Sequence, residues 1–231
     1  MSPIRILLVG ANGRMGKAID EEANDSQTGL TIAHRCQRGD SIADKIKDVD
    51  VVIDVSHADV TRALCPACAK AEIPIVIGTT GHSPEQRRTI EKAGRSIAIV
   101  LASNFSIGVN ALFALTKRGA EILGDEFHPN IIETHHRMKK DAPSGTAKTI
   151  AEILRAEGDS DREIPIQSVR EGDIVGEHTV IFAGPGERLE LTHHAESRAI
   201  FARGAIRAAR WIVGQPAGLY SMQDVLGLTD D

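Results

Sequence analysis

Short runs of apolar, often β-branched residues recur along the N-terminal part of the chain, at 4–9, 31–33, 51–53, 75–77 and 97–101. Stretches with apolar residues at helical spacing separate them. Runs that are apolar throughout, rather than alternating, belong to strands buried on both faces, and strands alternating with helices build a parallel sheet. The pattern therefore predicts a Rossmann-like, doubly wound α/β domain. It changes after Asn104-Phe105-Ser106, with a long helix expected over 107–123, a strand at 131–134 and a helix over 144–156. Apolar runs at 180–183 and 189–192 flank Gly184-Pro185-Gly186, a hairpin signature, so the second region reads as α+β with a mostly antiparallel sheet. A further helix is expected over 201–213 and a short amphipathic segment over 219–228.

Composition narrows the function classes. With 42% hydrophobic and 26% charged residues the chain is of the soluble globular kind, and no apolar run approaches the ~20 residues of a membrane span. The apolar run at 4–10 is too short for a secretory core and leads straight into a glycine-rich turn, so a cytoplasmic protein is expected. A net charge of −5 gives no general attraction to nucleic acid, and an anionic small molecule has to be held by a local cluster. Cys36, Cys65 and Cys68 cannot all pair within one chain, which fits a reducing compartment. Cys65-Pro66-Ala67-Cys68 matches C-x-x-C, but it falls in a predicted helix and no second pair completes a zinc site.

Two segments carry chemistry. Gly10-Ala11-Asn12-Gly13-Arg14-Met15-Gly16 follows the first strand and opens a helix, one residue longer between its first glycines than the usual dinucleotide fingerprint. Glycines let the backbone approach a pyrophosphate, and the helix start offers N–H groups and partial positive charge. Where an acid at the end of the second strand would take the ribose hydroxyls of NAD, the chain reads His34-Arg35-Cys36-Gln37-Arg38. Arginine there suits a 2′-phosphate, so NADPH is expected to be accepted well alongside NADH. Gly78-Thr79-Thr80-Gly81 and Ala102-Ser103-Asn104-Phe105 end the fourth and fifth strands on the same sheet edge; each is either an ordinary turn or part of the nicotinamide and ribose lining.

The second segment is residues 133–147. His135 and His136 can exchange protons near neutral pH, and Arg137, Lys139 and Lys140 add positive charge. Pro143-Ser144-Gly145-Thr146 then reads as a helix entry capped by Ser144 or Thr146, with free N–H groups for a carboxylate or phosphate.

Together with Arg170-Glu171-Gly172-Asp173-Ile174-Val175-Gly176-Glu177-His178, these motifs make the chain resemble, over nearly its whole length, the 4-hydroxy-tetrahydrodipicolinate reductase (dihydrodipicolinate reductase) family of bacterial lysine and diaminopimelate synthesis. The resemblance implies a dinucleotide-binding domain of residues 1–106 plus 198–231 and a substrate-binding and tetramerisation domain of residues 107–197, giving a homotetramer. It implies catalytic roles for His135 and Lys139, and substrate contacts from His136, Ser144, Gly145 and Thr146. For the cofactor it implies Gly10, Ala11, Asn12, Gly13, Arg14, Met15, Gly78, Thr79, Thr80, Ala102, Ser103, Asn104 and Phe105. The family's acid after the second strand aligns with Gln37, which favours Arg38 over Arg35 as the phosphate partner. His178, His193 and His194 read as core or interface residues, with no metal expected. A different nicotinamide oxidoreductase, such as an amino-acid dehydrogenase, has no need to keep His135, Lys139 and residues 144–146 together, nor does a nucleotide-sensing regulator.

Overall fold

The computed structural model describes residues 3–24, 29–37, 39–158 and 162–229. Along the chain run β1 (Ile4–Val9), α1 (Arg14–Ala23), β2 (Leu30–Cys36), β3 (Val51–Asp54), α2 (Ala58–Ala71), β4 (Ile75–Ile77), α3 (Pro84–Gly94), β5 (Ala98–Leu101) and α4 (Ile107–Leu123). Then follow β6 (His128–His135), α5 (Gly145–Ala156), β7 (Ile166–Arg170), β8 (Gly176–Gly184), β9 (Glu187–Ala195), α6 (Ala199–Ile212), β10 (Gly218–Tyr220) and α7 (Met222–Leu226). They form two compact units, Met1–Ile107 with Ala199–Asp231 (unit 1) and Gly108–Arg198 (unit 2).

Unit 1 is a parallel sheet in the order β10-β5-β4-β3-β1-β2. Neighbouring residues on a strand face opposite sides, which explains the unbroken apolar runs. Ile6, Leu8, Val51 and Ile53 join one core with Ile19, Ala205 and Ile212, while Leu7, Val9, Val52 and Ile75 join another with Leu64, Cys68 and Ile90. Cys65 and Cys68 lie buried in α2 as free thiols, and burial pushes the Cys65 thiol up to about 12. Neither is poised to react.

Several elements differ from the sequence pattern: β6, β8 and β9 run beyond the strands expected at 131–134, 180–183 and 189–192, β7 was not anticipated, and two further differences fall in unit 1. The strand expected at 31–33 runs from Leu30 to Cys36, because β2 is an edge strand that accepts His34 at a half-buried position and Arg35 at an exposed one. The tail expected as one amphipathic segment is a strand, β10, followed by α7, whose entry is closed by a Ser221–Asp224 capping box. A three-residue strand beginning at a glycine shows no apolar run; its pairing with β5 makes it a strand.

Unit 2 carries a sheet in the order β7-β6-β8-β9, antiparallel except for the β6–β7 pair. Val109, Leu112 and Phe113 of α4 and Ile150, Ala151 and Leu154 of α5 pack with Ile131, Val180 and Phe182 of the sheet. Pro129, Ile131, Glu133 and His135 share the buried face of β6, so the period that buries an isoleucine also buries two ionisable groups. No helix among the described residues is long and apolar enough to cross a membrane.

Candidate active site

In unit 1 the glycine-rich turn sits at the carboxyl end of β1, where the strand order reverses between β2 and β3. Open α/β sheets bind ligands at such a point. Gly10 N–H donates to Cys36 O at 2.9 Å and Gly13 N–H to Gly10 O at 3.0 Å, folding the turn tightly. Gly10 has φ +88°, and a Cβ on it would stand 2.6 Å from Val55 O; one on Gly16 would stand 2.3 Å from Gly10 O. The backbone is therefore packed where only glycine fits. Gly13 is the N-cap of α1 and supplies no side-chain cap, so the first N–H groups of the helix remain for a phosphate, as a dinucleotide requires. Asn12 donates its side-chain amide to Gln37.

A cavity of about 380 Å³ is lined by Met15, Gly78, Thr79, Thr80, Ser103, Asn104 and Phe105. Val55, Ser56 and Phe201, which motif reading did not find, complete it. A Cβ at Gly78 would lie 2.5 Å from the Phe105 ring, so this glycine admits the aromatic wall. Thr79 Oγ1 accepts from Ser56 N–H at 2.9 Å, tying the ends of β3 and β4 together. Ala102 is packed into the core. Shape, glycine turn and small polar lining fit a dinucleotide. Arg35 is committed to an ion pair with Asp20, which burial and motif reading could not reveal; Arg38 lies outside the described residues.

In unit 2 the strand register builds the second cluster. Glu133 lies between Ser168 on β7 and His178 on β8, and His135 lies opposite Arg170. Glu133 is fully buried; Arg170 donates to its Oε1 at 2.7 Å and its Oε2 at 3.1 Å. The ring nitrogen Nδ1 of His135 bonds Oε2, and Ser144 N–H donates to Oε1 at 3.3 Å. Burial disfavours the Glu133 carboxylate, but hydrogen bonds from Arg170, Ser168 and His135 outweigh it and hold its pKa down at about 2. Burial likewise lowers the pKa of His135, with Glu133 opposing and Lys139 and Arg170 assisting. His178 packs edge-on against the His135 ring with centroids 5.1 Å apart. Its burial, reinforced by His135, pushes its pKa down to about 3, so it remains neutral.

Ser144 caps α5: its Oγ accepts from Ala147 N–H at 3.1 Å and lies 3.1 Å from His178 Nε2. Its hydroxyl is thereby buried within the framework, whereas Gly145 is exposed and Thr146 half-exposed at the helix start. Lys139 Nζ donates to both oxygens of Asp141, at 2.9 and 2.8 Å. Arg198 lies 3.3 Å from His136 Nε2; guanidinium can only donate, so that nitrogen is the acceptor. His193 packs against Gly108, where a Cβ would stand 2.6 Å from its ring, and His194 pairs with Glu177 at 3.1 Å.

Glu133 and Arg170 had no role assigned from the motifs, and His178, read as a core or interface residue, is the buried neighbour of His135 and Ser144. The available signal was an acid two residues before His135, on the same face of an otherwise apolar strand. Donor atoms of Glu133, His135 and His178 lie within 4.8 Å of one another, a spacing three metal ligands would share. Both carboxylate oxygens, however, are already taken by N–H donors, and the group is a hydrogen-bonded network.

Comparison with known proteins places these two clusters in one family. Residues 4–105 match the family model of the dihydrodipicolinate reductase N-terminus and residues 108–226 that of its C-terminus. The chain is 46% identical to the 4-hydroxy-tetrahydrodipicolinate reductase of Akkermansia muciniphila over 98% of its own length and 99% of the relative's. It is 40% identical to that of Syntrophotalea carbinolica, over 97% and 99%. In fold it is similar to a dipicolinate-bound dihydrodipicolinate reductase from Paenisporosarcina sp. TG-14, with TM-score 0.82 at 21% identity, covering 96% of this chain and 98% of the other. The chain belongs to the dihydrodipicolinate reductase family of NAD(P)H-dependent oxidoreductases in lysine and diaminopimelate synthesis.

Proposed function

We propose that this chain reduces 4-hydroxy-tetrahydrodipicolinate with NADPH or NADH, giving tetrahydrodipicolinate, the oxidised nucleotide and water, with uptake of a proton. One observation carries the reading: Glu133 bonds both the imidazole of His135 and the backbone N–H that opens α5. A proton carrier and an anion-binding helix start are thus organised by one group, which suits a dicarboxylate substrate.

When bound, the nicotinamide supplies the hydride. Gly10, Ala11, Asn12, Gly13, Arg14 and Met15 hold the nucleotide phosphates, and Gly78, Thr79, Thr80, Ala102, Ser103, Asn104 and Phe105 shape the nicotinamide side. Gly145 and Thr146 present N–H groups at the positive end of α5, a helix of 12 residues, to a substrate carboxylate. Ser144 anchors that helix start, and His136 contacts the substrate. His135 and Lys139 donate protons and offset the negative charge developing on the substrate, general acid catalysis worth roughly 10²- to 10⁴-fold. Arg38 is the proposed partner of a 2′-phosphate, making NADPH a good cofactor. By the same family reading the enzyme works in the cytoplasm as a homotetramer.

The test is NADPH oxidation with freshly generated 4-hydroxy-tetrahydrodipicolinate, in wild type, His135→Ala and Lys139→Ala. No substrate-dependent oxidation by wild type refutes the function; unaltered turnover in both variants refutes only the residue roles. Parallel NADH kinetics measure the cofactor preference. A pH signature accompanies the assay. Burial lowers the His135 pKa, and a donor must be protonated, so kcat/KM declines as pH rises through a value below the ordinary ~6.5. The dianionic substrate stabilises imidazolium, which places the falling limb of kcat at higher pH than that of kcat/KM.

A further inference from the structure

The surroundings of Glu133 consist of donors. His135 Nδ1, Ser144 N–H and both terminal nitrogens of Arg170 are hydrogen-bonded to its two oxygens. Arg170 is itself held by backbone carbonyls, Val169 O at 2.6 Å and Asp141 O at 2.7 Å. A bidentate guanidinium fixes the plane of a carboxylate as well as its charge. An ionised carboxylate can only accept, so the neutral His135 ring carries its proton on Nδ1. Nε2 is left for chemistry, and it makes no hydrogen bond among the described residues. Gly176 leaves room for it, since a Cβ there would stand 3.0 Å from Nε2.

We propose that Glu133, clamped by Arg170, is a positioning residue: it selects Nε2 of His135 as the nitrogen that transfers a proton and, through Ser144 N–H, sets the start of α5 beside it. The inference rests on the reading of His135 as a proton carrier. The charged groups facing His135 are Glu133 on β6, Arg170 on β7 and Lys139 in the following loop, with neutral His178 of β8 against its ring. Exchanging Glu133 for glutamine preserves shape but introduces N–H donors among donors. It also removes the anion that stabilises imidazolium.

The experiment is ¹⁵N NMR of the histidine rings in the full chain, with His135→Ala for assignment, alongside pH–rate profiles of wild type, Glu133→Gln and Glu133→Asp. Wild type shows the Nδ1–H tautomer at neutral pH; a predominantly Nε2–H ring overturns the inference without any variant. In Glu133→Gln the Nε2–H tautomer gains and the protonation midpoint of His135 falls by about one unit or more. Its kcat drops about 10²-fold, and the falling limb of kcat/KM moves to lower pH by the same shift. Glu133→Asp returns the limb toward wild type because the charge is restored. A merely structural Glu133 reduces the folded fraction but leaves tautomer and limb unmoved, and that result overturns the proposal. A changed tautomer with an unmoved limb instead defeats the proton-carrier reading and leaves the ring-positioning inference standing.

Discussion

Unit 1 and unit 2 prepare their clusters from opposite materials. Around the glycine turn of unit 1 the shape is made by missing side chains: Gly10, Gly16 and Gly78 sit where a Cβ would collide with backbone or an aromatic ring. In unit 2 the cluster is made of ionisable side chains, Glu133, His135, Arg170 and His178, placed within a sheet that otherwise buries isoleucine, valine and phenylalanine. Holding a nucleotide calls for close backbone approach and N–H groups, which carry no titratable charge. Moving protons calls for groups whose charge can change, and burying them ties stability to pH.

The sharpest way to break this contrast is to damage each side alone. His135→Ala should lower kcat by roughly 10²- to 10⁴-fold while leaving NADPH binding, followed by fluorescence titration, unchanged. Gly16→Val should weaken NADPH binding by about 10²-fold or more, because its side chain must displace Gly10 O, 2.3 Å from the Cβ position; calorimetric titration reads the loss, and the KM for the proposed substrate, 4-hydroxy-tetrahydrodipicolinate, is spared. A variant that damaged both ligands equally would dissolve the distinction.

Acid sharpens it. His178 has its pKa depressed to about 3 in the folded chain, so its neutral form contributes stability that is full above the unfolded value of ~6.5 and lost as pH falls toward the folded one. By pH 4.5 the loss reaches about 3 kcal/mol at most. Glu133, depressed to about 2, adds a loss that begins only below its unfolded value of ~4.3. Hydrogen exchange, corrected for intrinsic rate, should therefore show β6 and β8 loosening between pH 7 and 4.5 while β1 and β3 hold; equal loosening would contradict the contrast. The smallest effect belongs to Ser144→Ala, which removes the α5 cap for a loss of about 1 kcal/mol in denaturant unfolding.

Legibility in the sequence follows the same division. β1, β4 and α4 were readable to the residue because their apolar periods are decided locally. So was the glycine turn, whose chemistry lies in consecutive residues. The environment of His135 was not readable beyond its own segment, since Ser168, Arg170 and His178 reach Glu133 through pairings fixed only when β7 and β8 take register on β6. Likewise Asp20 claims Arg35 from another element, and Phe201 joins the unit 1 cavity from α6. β10 escaped because Gly218-Leu219-Tyr220 opens on a glycine and shows no buried apolar run, whereas β4, equally short, is isoleucine and valine throughout.

The return of the chain to unit 1 has a consequence for biosynthesis. Its sheet gains β10 on the edge of β5, and its core gains Ala205, Ala209 and Ile212 of α6, all encoded after the whole of unit 2. On the ribosome, Gly108–Arg198 emerges as one uninterrupted stretch, while Met1–Ile107 must wait, with α1 present but α6 missing from one face of its sheet, for residues made later. The nucleotide-binding half is thus begun first and finished last, and a nascent chain arrested near Arg198 would display an apolar sheet face that chaperones recognise.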